Sequence, residues 1–214
     1  ITDGSMKCLG DNVDGQLGDG STTSIDQPTP VSGLSVPVSG MGLGDGHTCV
    51  TLSTGAVRCW GNNEDDKLGD PSFLEAQSLV PIATTITNAE TTNTDSIDAG
   101  KEFSCVILST ASKTAQCWGS NRSGQLGDPN FLPSSTSTPL TVIGVQNVTH
   151  LSLGSSYGCV RLSGGEVFCW GDNSVGQADP TAVTLDVVLQ AKQVTGMGSA
   201  NTVSAGSRHT CITD

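Results

Sequence analysis

Eight cysteines are the residues with the clearest chemistry, and their spacing indicates disulfide bonds rather than free thiols. When a short hairpin folds at its midpoint, cysteines at matched distances from the turn lie opposite each other, within reach of a disulfide. An even number of cysteines at repeated positions favours an oxidising compartment. We therefore predict an extracellular or cell-surface protein. The hairpin pairs are Cys49 with Cys59, Cys105 with Cys117, and Cys159 with Cys169.

A side chain with a flat ring lies two positions before the first cysteine of each unit. Where this residue is histidine, it could bind a metal or act in catalysis. His47 and His209 occupy this position in two units, so zinc binding by histidine and cysteine is an alternative. Phe103 and Tyr157 occupy it in the other two, and no serine or aspartate recurs beside them as a triad would require. The recurring ring favours packing. We predict no catalytic residue, no metal site and no cofactor.

Three further surface chemistries are open on sequence alone. Asn121 and Asn147 begin triplets that fit the N-glycosylation pattern. The acidic run 64–66 is the best candidate for calcium, although the twelve-residue loop with a terminal glutamate is missing. The tryptophans that follow the second cysteines are predicted to pack between blades, with carbohydrate stacking as the alternative. They are Trp60, Trp118 and Trp170.

The composition excludes several classes of protein. The chain has 214 residues, a formal net charge of −12 and only 14% charged residues. An acidic surface repels phosphate backbones, so we expect no nucleic-acid binding. No apolar run is long enough to cross a membrane. The 27 glycines, with many serines, threonines and asparagines, are typical of a turn-rich all-β protein.

A second motif follows the second cysteine of each unit, and it occurs four times. The copies lie at 8–19, 59–70, 117–128 and 169–179, so the second cysteines recur every 51 to 58 residues. A period near fifty with short strands and glycine turns indicates propeller blades. Strands are predicted at Val38–Leu43, 96–99, Val148–Leu153 and 203–205. Proline-containing strands are predicted at 30–34, 80–82 and 139–143, and an exposed Thr/Asn-rich loop, a possible O-glycan carrier, at 83–95.

The repeated motif resembles the regulator of chromosome condensation repeat. It reads Cys-Trp-Gly-x-Asn-x-x-Gly-Gln-Leu-Gly-Asp, preceded by Gly-x-x-His-Thr-Cys and a short hairpin, and it covers essentially the whole chain. The resemblance implies a β-propeller, usually of seven blades, but no single function, because the fold serves several. This chain departs from the pattern: Leu9 replaces tryptophan, Glu64 to Asp66 replace the glycine context, and Ala178 replaces Leu-Gly.

The two ends of the chain each carry half of a hairpin. We expect repeats at 8–58, 59–116, 117–168 and 169–214, with residues 1–7 completing the last blade of the same or a neighbouring chain. Because the chain opens without methionine or a signal peptide, we expect a processed or partial segment. Cys8 and Cys211 are left for each other once the three hairpin pairs are assigned.

Three arrangements of the ends are open. The blades could close into a small ring, the chain could be an excerpt of a larger ring, or Cys211 could meet Cys8 of a neighbouring molecule. A seven-bladed ring turns roughly 50° per blade, so four such blades sweep only about 200°. We therefore favour an open arc of four blades with about four antiparallel strands each. Its exposed strand edges would serve as templates for polymerisation.

The favoured hypothesis is a non-catalytic extracellular structural protein that joins head to tail into a fibre. The exchanged strands would be 1–7 and 209–214, and the predicted joint consists of Met6, Cys8, His209, Cys211 and Ile212. The alternative is a secreted, closed-ring binding module, similar to the propeller inhibitors of β-lactamases, that grips another protein with its blade-top loops. An intracellular exchange factor is disfavoured by the cysteines.

Overall fold

A computed structural model describes residues 5–85, 94–130, 133–181, 186–196 and 199–214, apart from the side chain of Asp95. The described residues form sixteen strands and one short 3₁₀ helix, Glu64–Asp66. No helix among them is long and apolar enough to cross a membrane. The strands are β1 Lys7–Gly10, β2 Ile25–Pro30, β3 Val38–Leu43, β4 His47–Leu52, β5 Val57–Asn62, β6 Gln77–Ala83, β7 Thr94–Ala99, β8 Phe103–Leu108, β9 Ala115–Ser120, β10 Ser135–Thr141, β11 Val148–Leu153, β12 Tyr157–Leu162, β13 Val167–Asp172, β14 Val187–Gln193, β15 Thr202–Ala205 and β16 Thr210–Thr213.

The strands form three complete antiparallel blades and two incomplete ones. The first blade has the order β3-β4-β5-β6, the second β7-β8-β9-β10 and the third β11-β12-β13-β14. β1 pairs only with β2 and forms the N-terminal half-blade, whereas β15 pairs only with β16 and forms the C-terminal half-blade. The all-β architecture is therefore an open arc of propeller-type blades.

The inner strands of successive blades pack against one another. β3 packs against β7, and β11 packs against both β7 and β15. Proline residues lie on the outermost strands, where a missing backbone N–H costs least, as Pro81 in β6 and Pro139 in β10 show. The blades thus present their most regular strands towards the axis and their proline-rich strands to the rim.

The core lies between blades rather than within one. The Cys49–Cys59 side chains of the first blade pack with Ile97 and Trp118 of the second blade in one buried cluster. The second blade's Cys105 and the third blade's Leu151 and Trp170 share another such cluster. Each blade therefore needs its neighbour to cover its hairpin, as expected for a repeat protein.

The predicted inner strands are confirmed, and one outer strand is displaced. β3 and β11 have the predicted bounds Val38–Leu43 and Val148–Leu153. The strand predicted at 30–34 instead ends at Pro30, because Ser32 and Gly33 form a turn in which Gly33 has a φ of +74°. The strand predicted at 139–143 begins earlier and ends at Thr141. Most of the loop predicted at 83–95 lies outside the described residues.

Candidate functional site at the open ends of the arc

The three predicted hairpin disulfides are present. In each hairpin the two cysteines are directly opposed on the second and third strands, with Cα atoms 4.1 Å apart. All six side chains are buried. Three disulfides are typical of a protein that folds in an oxidising environment.

The tryptophans interlock each blade with the one before it. The Nε1–H of Trp60 donates to the backbone oxygen of Gln16 at 2.9 Å, and Trp118 donates to Lys67 at 2.9 Å. Trp170 donates in the same way to the Gln125 oxygen at 2.8 Å. All three indoles are fully buried, so they form no stacking platform for carbohydrate.

A glycine in the preceding loop makes room for each indole. A Cβ added to Gly18 would lie 2.5 Å from Nε1 of Trp60, and one added to Gly69 would lie 2.7 Å from Nε1 of Trp118. Gly18 also has a φ of +69°, a region that side chains rarely adopt. The Leu-Gly step of the motif is therefore a steric requirement of the tryptophan that follows in the next blade.

The ring position before the first cysteine is a packing position. His47 is buried, and its Nε2 lies 2.9 Å from the Ser104 hydroxyl of the second blade. Burial, together with the nearby charge of Lys67, lowers the pKa of His47 to about 3. Cys49, the cysteine of the suggested His-x-Cys ligand pair, is in a disulfide. With its sulfur in this bond, Cys49 offers no thiolate for zinc.

The acidic run 64–66 is engaged by protein groups. Asp65 pairs with Arg122 of the next blade at 2.8 Å, and Asp66 accepts a hydrogen bond from Ser135. Burial raises the pKa of Asp65 despite the opposing charge of Arg122. Across the described ranges, no group of three or more His, Cys, Asp or Glu side chains is placed to hold a metal ion. This run therefore links two blades.

The two glycosylation candidates differ in accessibility. The side chain of Asn121 is buried, and its Oδ1 accepts a hydrogen bond from the backbone N–H of Leu126. Asn147 is exposed. In the folded chain only Asn147 of these two can be reached by a modifying enzyme.

The N-terminal half-blade borders an open apolar groove of about 440 Å³. Three large apolar side chains on this groove are exposed: Leu9 by 57%, Met41 by 55% and Leu43 by 62%. Cys8 lines the same groove as a free, partly buried thiol, and burial raises its pKa. Met6 lies beneath it, buried against the first blade. The predicted joint residues of this end are thus brought together.

The exposure of this groove is a property of the open end and not of the residue types. On the inner strand of the second blade, Ile97 occupies the position of Met41 and is only 4% exposed. On the third blade, Leu153 occupies the position of Leu43 and is 7% exposed. The difference arises because a preceding blade covers Ile97 and Leu153.

The C-terminal half-blade presents the other free thiol. Cys211 is exposed on β16, and Ile212 beside it packs against the third blade. The backbone oxygen of His209 accepts a hydrogen bond from the Tyr157 hydroxyl, and the Thr210 hydroxyl donates to the Gln177 oxygen at 2.8 Å. These contacts hold β16 in the position of a second blade strand. Cys8 and Cys211 are not bonded to each other, because the arc is open.

The two half-hairpins predict the cysteines of this site together with Met6 and Ile212, but they do not predict the exposed Met41 and Leu43. Met41 and Leu43 stand at positions that are apolar in every unit, as Ile97 and Leu153 show. That pattern predicts a buried position, and only the missing neighbour converts it into exposed surface. A comparison of the four inner strands, together with the count of half-hairpins, would have found them.

A second concave surface lies where the inner strands end. The cavity has a volume of about 440 Å³ and is lined by four equivalent Gly-containing loops, which carry Asp45, Lys101, Ser155 and Ser207. The loops are tied together, since the N–H of Lys101 donates to the Ser155 oxygen and the N–H of Ser155 to the Ser207 oxygen. These hydrogen bonds link three of the four loops around the cavity.

Comparison with known proteins identifies the repeat. Two family models, both described as regulator of chromosome condensation (RCC1) repeat, match residues 3–51 and residues 38–66 and 148–177. The chain is 25% identical over 222 residues to the human probable E3 ubiquitin-protein ligase HERC6, covering 99% of this chain and 21% of that protein. It is 29% identical over 194 residues to the secretion-regulating guanine nucleotide exchange factor of Bos taurus, covering 86% and 40%.

The fold of a solved structure agrees with this assignment. Human WBSCR16 superposes with a TM-score of 0.82 and 21% sequence identity, over 98% of this chain and 53% of that chain. The chain thus spans well under half of the two curated relatives and about half of this structure. Residues 3–66 and 148–177 match the regulator of chromosome condensation repeat, and the described strands form an open arc of propeller-type blades.

Proposed function

We propose that this chain is a non-catalytic, extracellular structural protein whose copies join head to tail by completing a shared blade. The observation that carries the proposal is the exposure of Met41 and Leu43 at positions that are buried on the second and third blades, each of which has a preceding blade. The missing partner has the form of an inner pair of blade strands. β15 and β16 of a second copy are such a pair, and their outer edge is unpaired in turn.

The register of the complete blades can be carried over to this joint. In the first blade Cys49 is opposite Cys59, and Thr51 is opposite Val57. The same offsets place Cys211 of one copy opposite Cys8 of the next, Ile212 opposite Lys7, and Thr213 opposite Met6. The shared blade would have the order β15-β16-β1-β2 and would bury both thiols beneath Met41, just as Ile97 covers the Cys49–Cys59 disulfide.

The energies involved are adequate for association. Fully burying one large apolar side chain contributes about 1.5–3 kcal/mol. Because Leu9, Met41 and Leu43 are 57%, 55% and 62% exposed, covering them contributes about 3–5 kcal/mol in total. Association costs roughly 4–15 kcal/mol of translational and rotational freedom. Apolar burial therefore offsets part of this cost, and strand pairing with a covalent bond supplies the rest.

A disulfide between copies would make the joint permanent. The two thiols lose two protons and two electrons, and a low-molecular-weight disulfide that accepts them is reduced to two thiols. Such oxidants belong to the compartment that the three hairpin disulfides indicate, which supports an extracellular or cell-surface location.

The shape of the arc favours a fibre over a ring of copies. Four blades that each turn roughly 50° sweep about 200°, whereas two copies would close a flat ring only at 180° each. A head-to-tail contact that overshoots closure generates a helical filament. We therefore infer a helical fibre with one shared blade per copy.

The experiment is oxidation of the purified chain with oxidised glutathione, followed by non-reducing electrophoresis and electron microscopy. A ladder that collapses to monomer on reduction, with Cys8–Cys211 peptides from two copies, is expected. Separate Cys8→Ser and Cys211→Ser variants should each stop the ladder, and a mixture of the two should yield a covalent dimer at most. A monomer with Cys8 bonded to Cys211 of the same chain would overturn the proposal. A native polypeptide that supplies the missing strands from its own sequence would overturn it as well.

A second candidate is a binding module for another protein, which the cavity at the ends of the inner strands favours. Four loops there present backbone groups with one acidic and one basic side chain, Asp45 and Lys101. The relatives include a protein named as a secretion-regulating guanine nucleotide exchange factor. Charge reversal at Lys101 should weaken partner binding and leave fibre formation intact, because Lys101 does not line the open groove.

A further inference from the structure

The fourth copy of the loop motif differs from the other three in a way that bears on the proposed joint. In the first copy the loop asparagine, Asn12, accepts a hydrogen bond from the N–H of Leu17, and in the fourth copy Asn173 accepts one from Ala178. Asp179 likewise takes the role of the turn aspartate that follows. The two copies can thus be aligned residue by residue, and the fourth lacks the glycine between leucine and aspartate.

That glycine is the residue that makes room for an indole. Gly18 faces Trp60 of the next blade, and no other neighbouring atom lies as near to a Cβ built there. In the fourth loop Asp179 directly follows Ala178, so no glycine stands at this contact with the blade that follows. The blade that follows the fourth loop is the C-terminal half-blade, whose third strand is missing.

Among the third strands that the structure describes, β1 alone lacks tryptophan and has Leu9 at that position. The loop without the glycine and the strand without the indole therefore match each other. Resting on the proposed head-to-tail assembly, we infer that Leu9 of one copy packs over the Gln177–Ala178 turn of the preceding copy and determines which strand completes the blade.

The hydrogen bonds of the turn agree with this inference. At the first interface the Gln16 oxygen accepts from both the Trp60 indole and the Thr48 hydroxyl. At the fourth, the Gln177 oxygen already accepts from Thr210, the equivalent of Thr48. A partner at this turn does not need to donate a hydrogen bond, so an apolar leucine is suited to it and leaves no carbonyl unsatisfied.

The size of the side chain at the position of Leu9 would determine which third strand can complete the C-terminal half-blade. An internal third strand with tryptophan, such as β5, would clash with the shortened turn if it tried to complete the half-blade. Leu9 avoids that clash, and its exposed side chain gains cover. Selection against the wrong strand is a common requirement of repetitive proteins, in which many near-identical edges compete.

The test is the variant Leu9→Trp in the full chain, with Leu74→Trp as the matched control. Leu74 is 90% exposed and does not line the groove. Under oxidising conditions Leu9→Trp should reduce the yield of covalent oligomers at least tenfold, and the control should not. Restoring the loop by Ala178→Leu with a glycine inserted before Asp179 should rescue the Leu9→Trp variant. An unchanged yield, or a failure of rescue, would overturn the inference.

A second measurement applies if the wild-type chain does not assemble, which would refute the proposed function alone. Deletion of Gly18 together with Trp60→Leu reproduces the proposed combination of a shortened loop and a leucine at the interface between the N-terminal half-blade and the first blade. The denaturation midpoint of the double variant should be higher than that of either single variant. If the double variant is no more stable than the worse single one, the complementarity of leucine and shortened turn is refuted.

Discussion

The same leucine-to-glutamate substitution should lower the stability of the chain at one position of the inner strands and weaken association between copies at an equivalent position. Leu43 and Leu153 occupy the same position on the inner strands β3 and β11, but they are 62% and 7% exposed. Leu153→Glu removes about 1.5–3 kcal/mol of apolar burial and leaves a polar group without a partner, at a further cost of about 1–3 kcal/mol. We expect a loss of about 3–6 kcal/mol, a large share of the 5–15 kcal/mol typical of a domain.

Leu43→Glu should leave the isolated chain within about 0.5 kcal/mol of wild type, because exposed substitutions rarely do more. Its effect should appear in association, where the loss of about 1.5–3 kcal/mol corresponds to a tenfold to hundredfold weaker joint. Urea unfolding of the Cys8→Ser chain without added reductant, at low protein concentration, measures the first quantity. Sedimentation of the same chain over a concentration series measures the second.

Leu74→Glu is the control for the added charge, since Leu74 is 90% exposed and does not line the groove. If Leu43→Glu lowers the free energy of unfolding of the isolated chain as much as Leu153→Glu, Leu43 is buried within one molecule. That result would contradict an exposed groove at the N-terminal end of the arc. If it associates as well as wild type, the groove around Leu43 is not the joint.

Three other predictions address the chemistry of the blades. Gly18→Ala should lower stability by about 1–3 kcal/mol more than Gly176→Ala in urea unfolding, because both have positive φ but only Gly18 faces an indole. Burial lowers the pKa of His47 to about 3. The unfolded chain therefore binds a proton that the folded chain does not, and the free energy of unfolding should decrease as pH falls from about 6.5 towards 3. In the variant H47F the free energy of unfolding, measured in urea, should depend less on pH over this range. A thiol reagent should label Cys211 before Cys8 in the native chain, since Cys211 is exposed and burial raises the pKa of Cys8; equal rates would contradict the described burial.

The sequence was sufficient for the strands near the axis because their pattern repeats with little variation. Val38–Leu43 and Val148–Leu153 have the bounds expected from alternation and turn signals. The outer strands are less predictable, since they are half exposed and carry proline, and the strand predicted at 30–34 contains a turn at Ser32. The alternation of apolar and polar residues fixes the bounds of a strand only where packing constrains both faces of that strand.

The site was predictable in its covalent part and not in its packing. The spacing of cysteines indicates hairpin disulfides without reference to any neighbour. The role of Trp60, by contrast, depends on the Gln16 oxygen of the preceding blade, which lies 44 residues away in the sequence. Met41 shows the same limit, because its exposure reflects the absence of a neighbour and not its own residue type.

An unpaired strand edge is a hazard unless its partner is specified, and in the proposed assembly this chain would specify one on three levels. Its net charge of −12 would make copies repel one another in arbitrary orientations. The groove around Leu43 would favour an apolar surface shaped like a pair of blade strands. The match between Leu9 and the shortened turn at Ala178 would then reject the internal strands, which carry tryptophan. Oxidation of Cys8 with Cys211 would come last, because the thiols meet only in the correct register, so the covalent bond fixes a joint that packing has already selected.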